Sequence, residues 1–307
     1  MDVLLQQLVN GLILGSLYAL VALGYTMVYG ILELINFAHG EIVMLGALVS
    51  VTVLGVLVAA GVPVPLALLL ALAAAVLVCM ATGVLVERIA YRPLRNAPRL
   101  APLITAIGVS IVLQNLAMIL WGRQYLSFPP VLAPQVYAWH GASVSNVQLL
   151  IVAVAALTMG TLLLLVQRTR LGRAMRATAQ NREVAGLMGV DVNRVIAATF
   201  AVGSALAAVA GLLIASYYGI AHYNMGFLLG LKAFSAAVLG GIGNIPGALL
   251  GGLLLGVIES LGAGYIGDLT GGFLGSHYQD IFAFFILILV LIFRPSGLLG
   301  ERVADRA

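Results

Sequence analysis

The chain has 307 residues, 62% of them hydrophobic and only 8% charged. A soluble domain carries about 25% Asp, Glu, Lys and Arg, so too few charges are present to clothe a water-facing surface, and a soluble globular protein is excluded. The net charge of +4 comes from arginines clustered beside apolar runs. It gives no ground for nucleic-acid binding, and the solvent it implies is a lipid bilayer.

A bilayer-spanning helix needs roughly 20 apolar residues, so the length has room for roughly eight to ten spans. Alternating segments of ~10 residues, the mark of an outer-membrane barrel, are absent. The sequence therefore predicts an all-α fold, a polytopic transmembrane helical bundle forming a single domain over residues 1–307. Candidate spans run at 8–30, 40–60, 64–86, 103–121, 148–167, 195–218, 226–243, 247–266 and 279–293. The first follows no basic segment, since Asp2 is the only charge before Glu33, and reads as a retained span rather than a cleaved signal. The 226–243 segment is polar and Gly-rich enough to be a broken or re-entrant helix. The single cysteine, Cys79, sits in an apolar run and reads as a small packing residue.

Arginines set the expected orientation. Arg88, Arg92, Arg95 and Arg99 lie between two spans, and Arg168, Arg170, Arg173, Arg176, Arg182 and Arg194 lie in or beside the 168–194 loop. The 122–147 loop holds only Arg123. The positive-inside rule puts the two arginine loops in the cytoplasm and the 122–147 loop outside. The C-terminal tail, with Arg294, Arg302 and Arg306, is then also cytoplasmic, and nine spans put the N-terminus outside. Trp121, Tyr125, Trp139, Tyr217 and Tyr218 suit the outer interface. Small-residue spacings at Gly11/Gly15, Gly243/Gly247/Gly251 and Gly252/Gly256 read as packing faces where helix backbones approach closely.

Four segments break the apolar background. Residues 35–41 bring Asn36, His39 and Glu41 between two spans. Ionisable residues at membrane depth mark pathways, whereas at the interface they form a turn that meets water. Residues 240–247 are dense in Gly and Pro around Asn244, either a freed backbone lining a cavity or a tight connection. Lys232, the only lysine, lies just before it and could snorkel or line a path. Within the 103–121 span, Ser110, Gln114 and Asn115 could face a path or bond between helices. The fourth segment is a short helix in the 168–194 loop, with Asn181 as N-cap and Gly189 as its stop. Val184, Leu187 and Met188 share one face of it, beside Arg182 and Glu183. Such a helix lies on lipid or docks in a groove of a soluble partner.

No phosphate-binding glycine loop ending in Lys-Ser/Thr is present, no zinc-protease motif, and no nucleophile with its base. The chain is expected not to be an enzyme and to need no metal or cofactor. Any ATP hydrolysis would belong to another chain.

The blocks Tyr25–Gly30 (YTMVYG), Ile35–Glu41 (INFAHGE), Glu87–Pro93 (ERIAYRP), Lys232–Gly247 (KAFSAAVLGGIGNIPG) and Arg294–Gly300 (RPSGLLG) resemble, in order, those of LivH-type permeases. These are the membrane subunits of bacterial branched-chain amino-acid ABC importers. The resemblance covers nearly the whole chain. It implies a homologous second permease, two ATP-binding subunits and an extracytoplasmic substrate-binding protein as partners, in the bacterial inner membrane. Arg182, Glu183, Val184, Leu187, Met188 and Gly189 then match a coupling helix seated on the ATPase. The translocation pathway or its gates are expected among Asn36, His39, Glu41, Gln114, Asn115, Lys232 and Asn244. Permeases for urea, short amides or other amino acids are alternatives within the resemblance, and an ATP-independent carrier or channel is one outside it.

Overall fold

Away from water every backbone N–H and C=O must find its partner inside the chain, so a long apolar run becomes a helix. The computed structural model describes residues 2–95, 97, 98, 100–130, 135–139, 141–271 and 278–300. Arg99, His140, His277, Arg302 and Arg306 lie outside the described residues. Eleven α-helices occur among those described: α1 (Asp2–Leu32), α2 (His39–Ala59), α3 (Val64–Val86), α4 (Leu100–Trp121), α5 (Asn146–Arg168), α6 (Arg170–Gln180), α7 (Arg182–Leu187), α8 (Val192–Tyr218), α9 (Met225–Gly240), α10 (Ile245–Leu269) and α11 (Gln279–Phe293). Seven are long and apolar enough to cross a membrane, and Met225–Gly240 and Phe284–Phe293 are shorter apolar helices. Each of the nine segments expected to span falls on one of these helices. The fold is a polytopic helical membrane bundle.

Four short strands lie among the described residues. β1 (Leu126–Ser127) pairs antiparallel with β4 (Ile220–Ala221), and β2 (Val136–Trp139) forms a hairpin with β3 (Ala142–Ser145). The chain divides into two compact units. One comprises Met1–Thr26, Pro134–Ala156 and Lys232–Ala307, the other Met27–Ala133 and Leu157–Leu231.

In the first unit α1 and α10 approach with almost no side chains between them. A Cβ on Gly11 would lie 2.6 Å from Val257 Cα, one on Gly15 would lie 2.8 Å from Leu253 Cα, and one on Gly252 or Gly256 would overlap the backbone of Ala19 or Gly15. Gly251 packs the same way on Ala236 and Gly240 of α9. Gly11, Gly15, Gly251, Gly252 and Gly256 thus form the expected packing faces. Gly243 serves differently: at φ +93° it turns the chain between α9 and α10.

The second unit is built on α2, α3 and α8. On α3, Ala67, Ala71, Ala75, Cys79 and Gly83 recur every fourth residue and are buried, a small-residue stripe that lets neighbouring backbones close in. Gly46 of α2 meets the backbone of Ala208, and Gly211 of α8 meets Val43 and Ala47. Opposite faces carry bare apolar side chains such as Leu69, Leu77, Ile104 and Ile119, all more than 60% exposed. Lipid is the solvent that suits them.

Candidate functional site

The 168–194 region contains more helix than its sequence advertises. Thr169 caps α6 by accepting from Gly172 N at 3.0 Å, and α6 carries the arginines read as loop. Asn181 then caps α7, its side chain accepting from Val184 N at 3.0 Å, and Asp191 caps α8 by accepting from Arg194 N at 3.1 Å. Gly189, at φ +84°, ends the short helix in the left-handed conformation that favours glycine. Ala185 is the buried residue of α7, while Val184, Leu187 and the C-cap Met188 are 52%, 87% and 80% exposed. Arg182 fixes the helix to the end of α1: its Nε and Nη2 donate to Ile31 O at 3.1 and 2.6 Å. A pocket of about 420 Å³ opens beside this joint, lined in part by Glu33, Arg95, Asn181 and Glu183.

The 35–41 segment is a turn running into α2, as one reading of the sequence has it, but its polar side chains do not meet water. Asn36, His39 and Glu41 are 2%, 1% and 0% exposed. Asn36 Oδ1 accepts from Ala38 N at 3.2 Å and from Tyr91 OH at 3.0 Å, which fixes the turn. Glu41, in the first turn of α2, accepts from Ser110 Oγ of α4 at 3.1 Å. Its Oε2 has no hydrogen-bond partner among the described residues. That oxygen faces Gly226, in the first turn of α9, where a Cβ would lie 2.5 Å away. Gly40 packs on the backbone of Gly226 and Gly230.

Near the same turn, buried Glu87 gathers two arginines. Arg92 Nη2 reaches it at 3.0 Å, and Arg95 pairs with it while donating to Asn193 Oδ1 at 2.6 Å. Burial pulls the Arg95 guanidinium below its ordinary pKa, and the charge of Glu87 opposes that shift.

Lys232 neither snorkels nor stands alone. It is 6% exposed, with Nζ 2.7 Å from Glu259 Oε1, 2.7 Å from Asp280 Oδ1 and 3.3 Å from Tyr18 OH. Tyr18 OH in turn donates to Glu259 Oε1 at 3.1 Å. Sequence reasoning missed Tyr18, Glu259 and Asp280 as partners. A glutamate inside the apolar 247–266 span was the available signal, because an ionised group there demands a counter-charge.

The remaining polar residues have local uses. Asn244 sits in a tight connection: its Oδ1 accepts from Gly247 N at 3.0 Å and its Nδ2 donates to Leu299 O at 2.8 Å. Asn115 is exposed and donates to Ile111 O of its own helix at 2.8 Å, and Gln114 is half-buried. The structure thus joins Glu41 with Ser110.

A bundle of apolar helices with charges paired inside it, and a capped surface helix holding bare apolar side chains, defines a polytopic membrane protein. Comparison with known proteins agrees. The high-affinity branched-chain amino acid transport system permease protein BraD of Pseudomonas aeruginosa is 50% identical over 307 residues, covering 98% of this chain and 97% of that one. LivH of Escherichia coli K12, of the same description, is 45% identical over 307 residues, with 98% and 97% covered. A probable LivH of Methanocaldococcus jannaschii is 28% identical over 293 residues, with 95% and 91% covered. The chain belongs to the family described as branched-chain amino acid transport system, permease component, which matches residues 7–291. No solved structure matches it significantly.

Proposed function

We propose that this chain is the membrane-spanning subunit of an ATP-driven importer that carries branched-chain amino acids into the cytoplasm. The substrate is that named for the relatives from Pseudomonas and Escherichia, which match nearly the whole chain. One observation carries the ATP-driven part: a helix capped at both ends holds Leu187 and Met188 almost fully in the open. Burying one such side chain is worth about 1.5–3 kcal/mol, so the pair forms a compact docking knob. Its occupant is an ATP-binding subunit, and α7, with Arg182, Glu183 and Val184, is the coupling helix at the cytoplasmic face.

The rest of the assembly follows from that role. A second, homologous permease completes the membrane pair, two ATP-binding subunits sit beneath it, and an extracytoplasmic binding protein delivers the amino acid. ATP hydrolysis resides on those separate subunits. The arginine-rich 168–194 segment and the C-terminus face the cytoplasm of a bacterial inner membrane, by the charge bias of the loops. The pathway runs past Asn36, His39 and Glu41. Residues 1–307 act as one permease domain.

Purification of the tagged chain from its native membrane in mild detergent, with mass spectrometry of its companions, tests this reading. A nucleotide-binding subunit and a second permease are expected in the eluate, with ATP-dependent uptake of labelled leucine after reconstitution. A chain that purifies alone and moves leucine without ATP would overturn it.

A further inference from the structure

The carboxylates of this chain sort by what faces them. Glu87 is met by Arg92 and Arg95, Glu259 and Asp280 share Lys232, and Asp191 pairs with Arg194. Glu33 and Glu183 are exposed. Glu41 alone among the described side chains is a fully buried carboxylate that faces no cation. Ser110 Oγ occupies its Oε1 at 3.1 Å, and its Oε2 is left without a hydrogen-bond partner.

Two helices begin beside that oxygen. Glu41 stands in the first turn of α2, and the oxygen points at the first turn of α9. The first turn of a helix carries partial positive charge and favours a negative neighbour. That support falls short of a counter-ion, and a charge held inside protein without one is costly. Glycine at 226 is what lets the start of α9 lie against this oxygen, because any side chain there would press on Oε2.

We propose that Glu41 takes the α-ammonium group of the transported amino acid, so that the substrate itself supplies the cation the fold omits. The inference rests on the transport reading above and names the group on the substrate that is recognised. Apolar walls recognise a branched aliphatic side chain by shape alone, and discriminate weakly between one apolar substrate and another. An ammonium group opposite an unshared carboxylate oxygen forms a charge-assisted hydrogen bond, roughly twice as strong as a neutral one. Plain carboxylic acids of the same carbon skeleton are thereby refused.

The test uses the assembled importer and dicyclohexylcarbodiimide, an apolar reagent that modifies buried carboxyl groups, with Glu41 followed by mass spectrometry. Millimolar leucine is expected to protect Glu41, and 4-methylpentanoate, which lacks the ammonium, is not. Equal modification with and without leucine in every nucleotide state overturns the proposal, as does equal protection by both compounds. Glu41→Gln supplies a second measure: loss of a hydrogen bond to a charged group predicts a fall in leucine uptake of about 10-fold or more, and uptake within about twofold of wild type overturns the assignment. A wild-type importer that moves no leucine at all would instead count against the transport reading.

Discussion

Lys232→Met keeps the length of the side chain and deletes the cation that two carboxylates share. The native ammonium lies 2.7 Å from Glu259 Oε1 and 2.7 Å from Asp280 Oδ1. Glu259 is 1% exposed, so its charge is stranded in full once the lysine is gone. The side chain of Asp280 keeps 29% exposure, and solvent screening limits its share to about 1 kcal/mol at most. Breaking a buried pair by removing one member costs about 3–5 kcal/mol. A chain of this size loses roughly 2–4 °C of melting temperature per kcal/mol, which places the variant about 6–20 °C below wild type. Cys79 supplies the assay. It is buried with its thiol 3.4 Å from Ile42 O, so a maleimide reaches it only on unfolding. Labelling of this chain against temperature gives the melt. Adding Glu259→Gln removes the stranded charge and is expected to recover at least half of the loss, a coupling of the kind double-variant cycles isolate. A Lys232→Met melt within about 2 °C of wild type, or a double variant no better than the single, would refute the reasoning.

Leu187→Asp puts a charge on the docking knob and loses about 2 kcal/mol of apolar burial or more; ATP-driven uptake should vanish while the chain stays in the membrane, and retained uptake would remove that face from the interface. Arg182→Ala cuts both bonds to Ile31 O and strands that one acceptor at a cost of about 1–3 kcal/mol. ATP hydrolysed per leucine imported should then rise severalfold, and an unchanged ratio would mean that this joint carries no force. Gly252→Leu forces a side chain into the backbone of Ala19, with an overpacking cost of about 1–3 kcal/mol or more. Its Cys79 labelling curve should shift down, whereas Gly108→Leu, on the exposed face of α4 with no atom near its Cβ position, should leave packing intact.

The helices were legible because hydropathy and span length are local properties. Asn181, Gly189 and the exposed α7 face were legible for a similar reason, since a cap and a stop act within one turn. Helix α6 escaped notice because arginines that mark a cytoplasmic loop also suit a surface helix, and Thr169 as its cap is a single unremarkable residue. The β2–β3 hairpin was missed because its strands are four residues each, too short for alternation to register. The partners of Lys232 were out of reach for a different reason. Tyr18 and Lys232 are 214 residues apart, and no local period reports a contact made only when four helices assemble. Glu41 shows the same limit. Its neighbours in sequence allow a wet turn, and only the packing of Gly40 on α9 and of Ser110 against its carboxylate removes the water.

With its lone lysine sealed in an ion pair, the folded chain offers amine chemistry no lysine to attack; every other strongly basic side chain is arginine. Lysyl endoproteases should therefore pass the native protein by, and succinimidyl and acylating reagents should leave residue 232 unmodified. Once the bundle opens, a lysyl protease has a single place to cut and leaves two pieces divided after residue 232. The fragment pattern becomes a clean gauge of how much of a preparation is folded, and proximity maps of the assembled importer call for arginine- or carboxyl-directed reagents on this subunit.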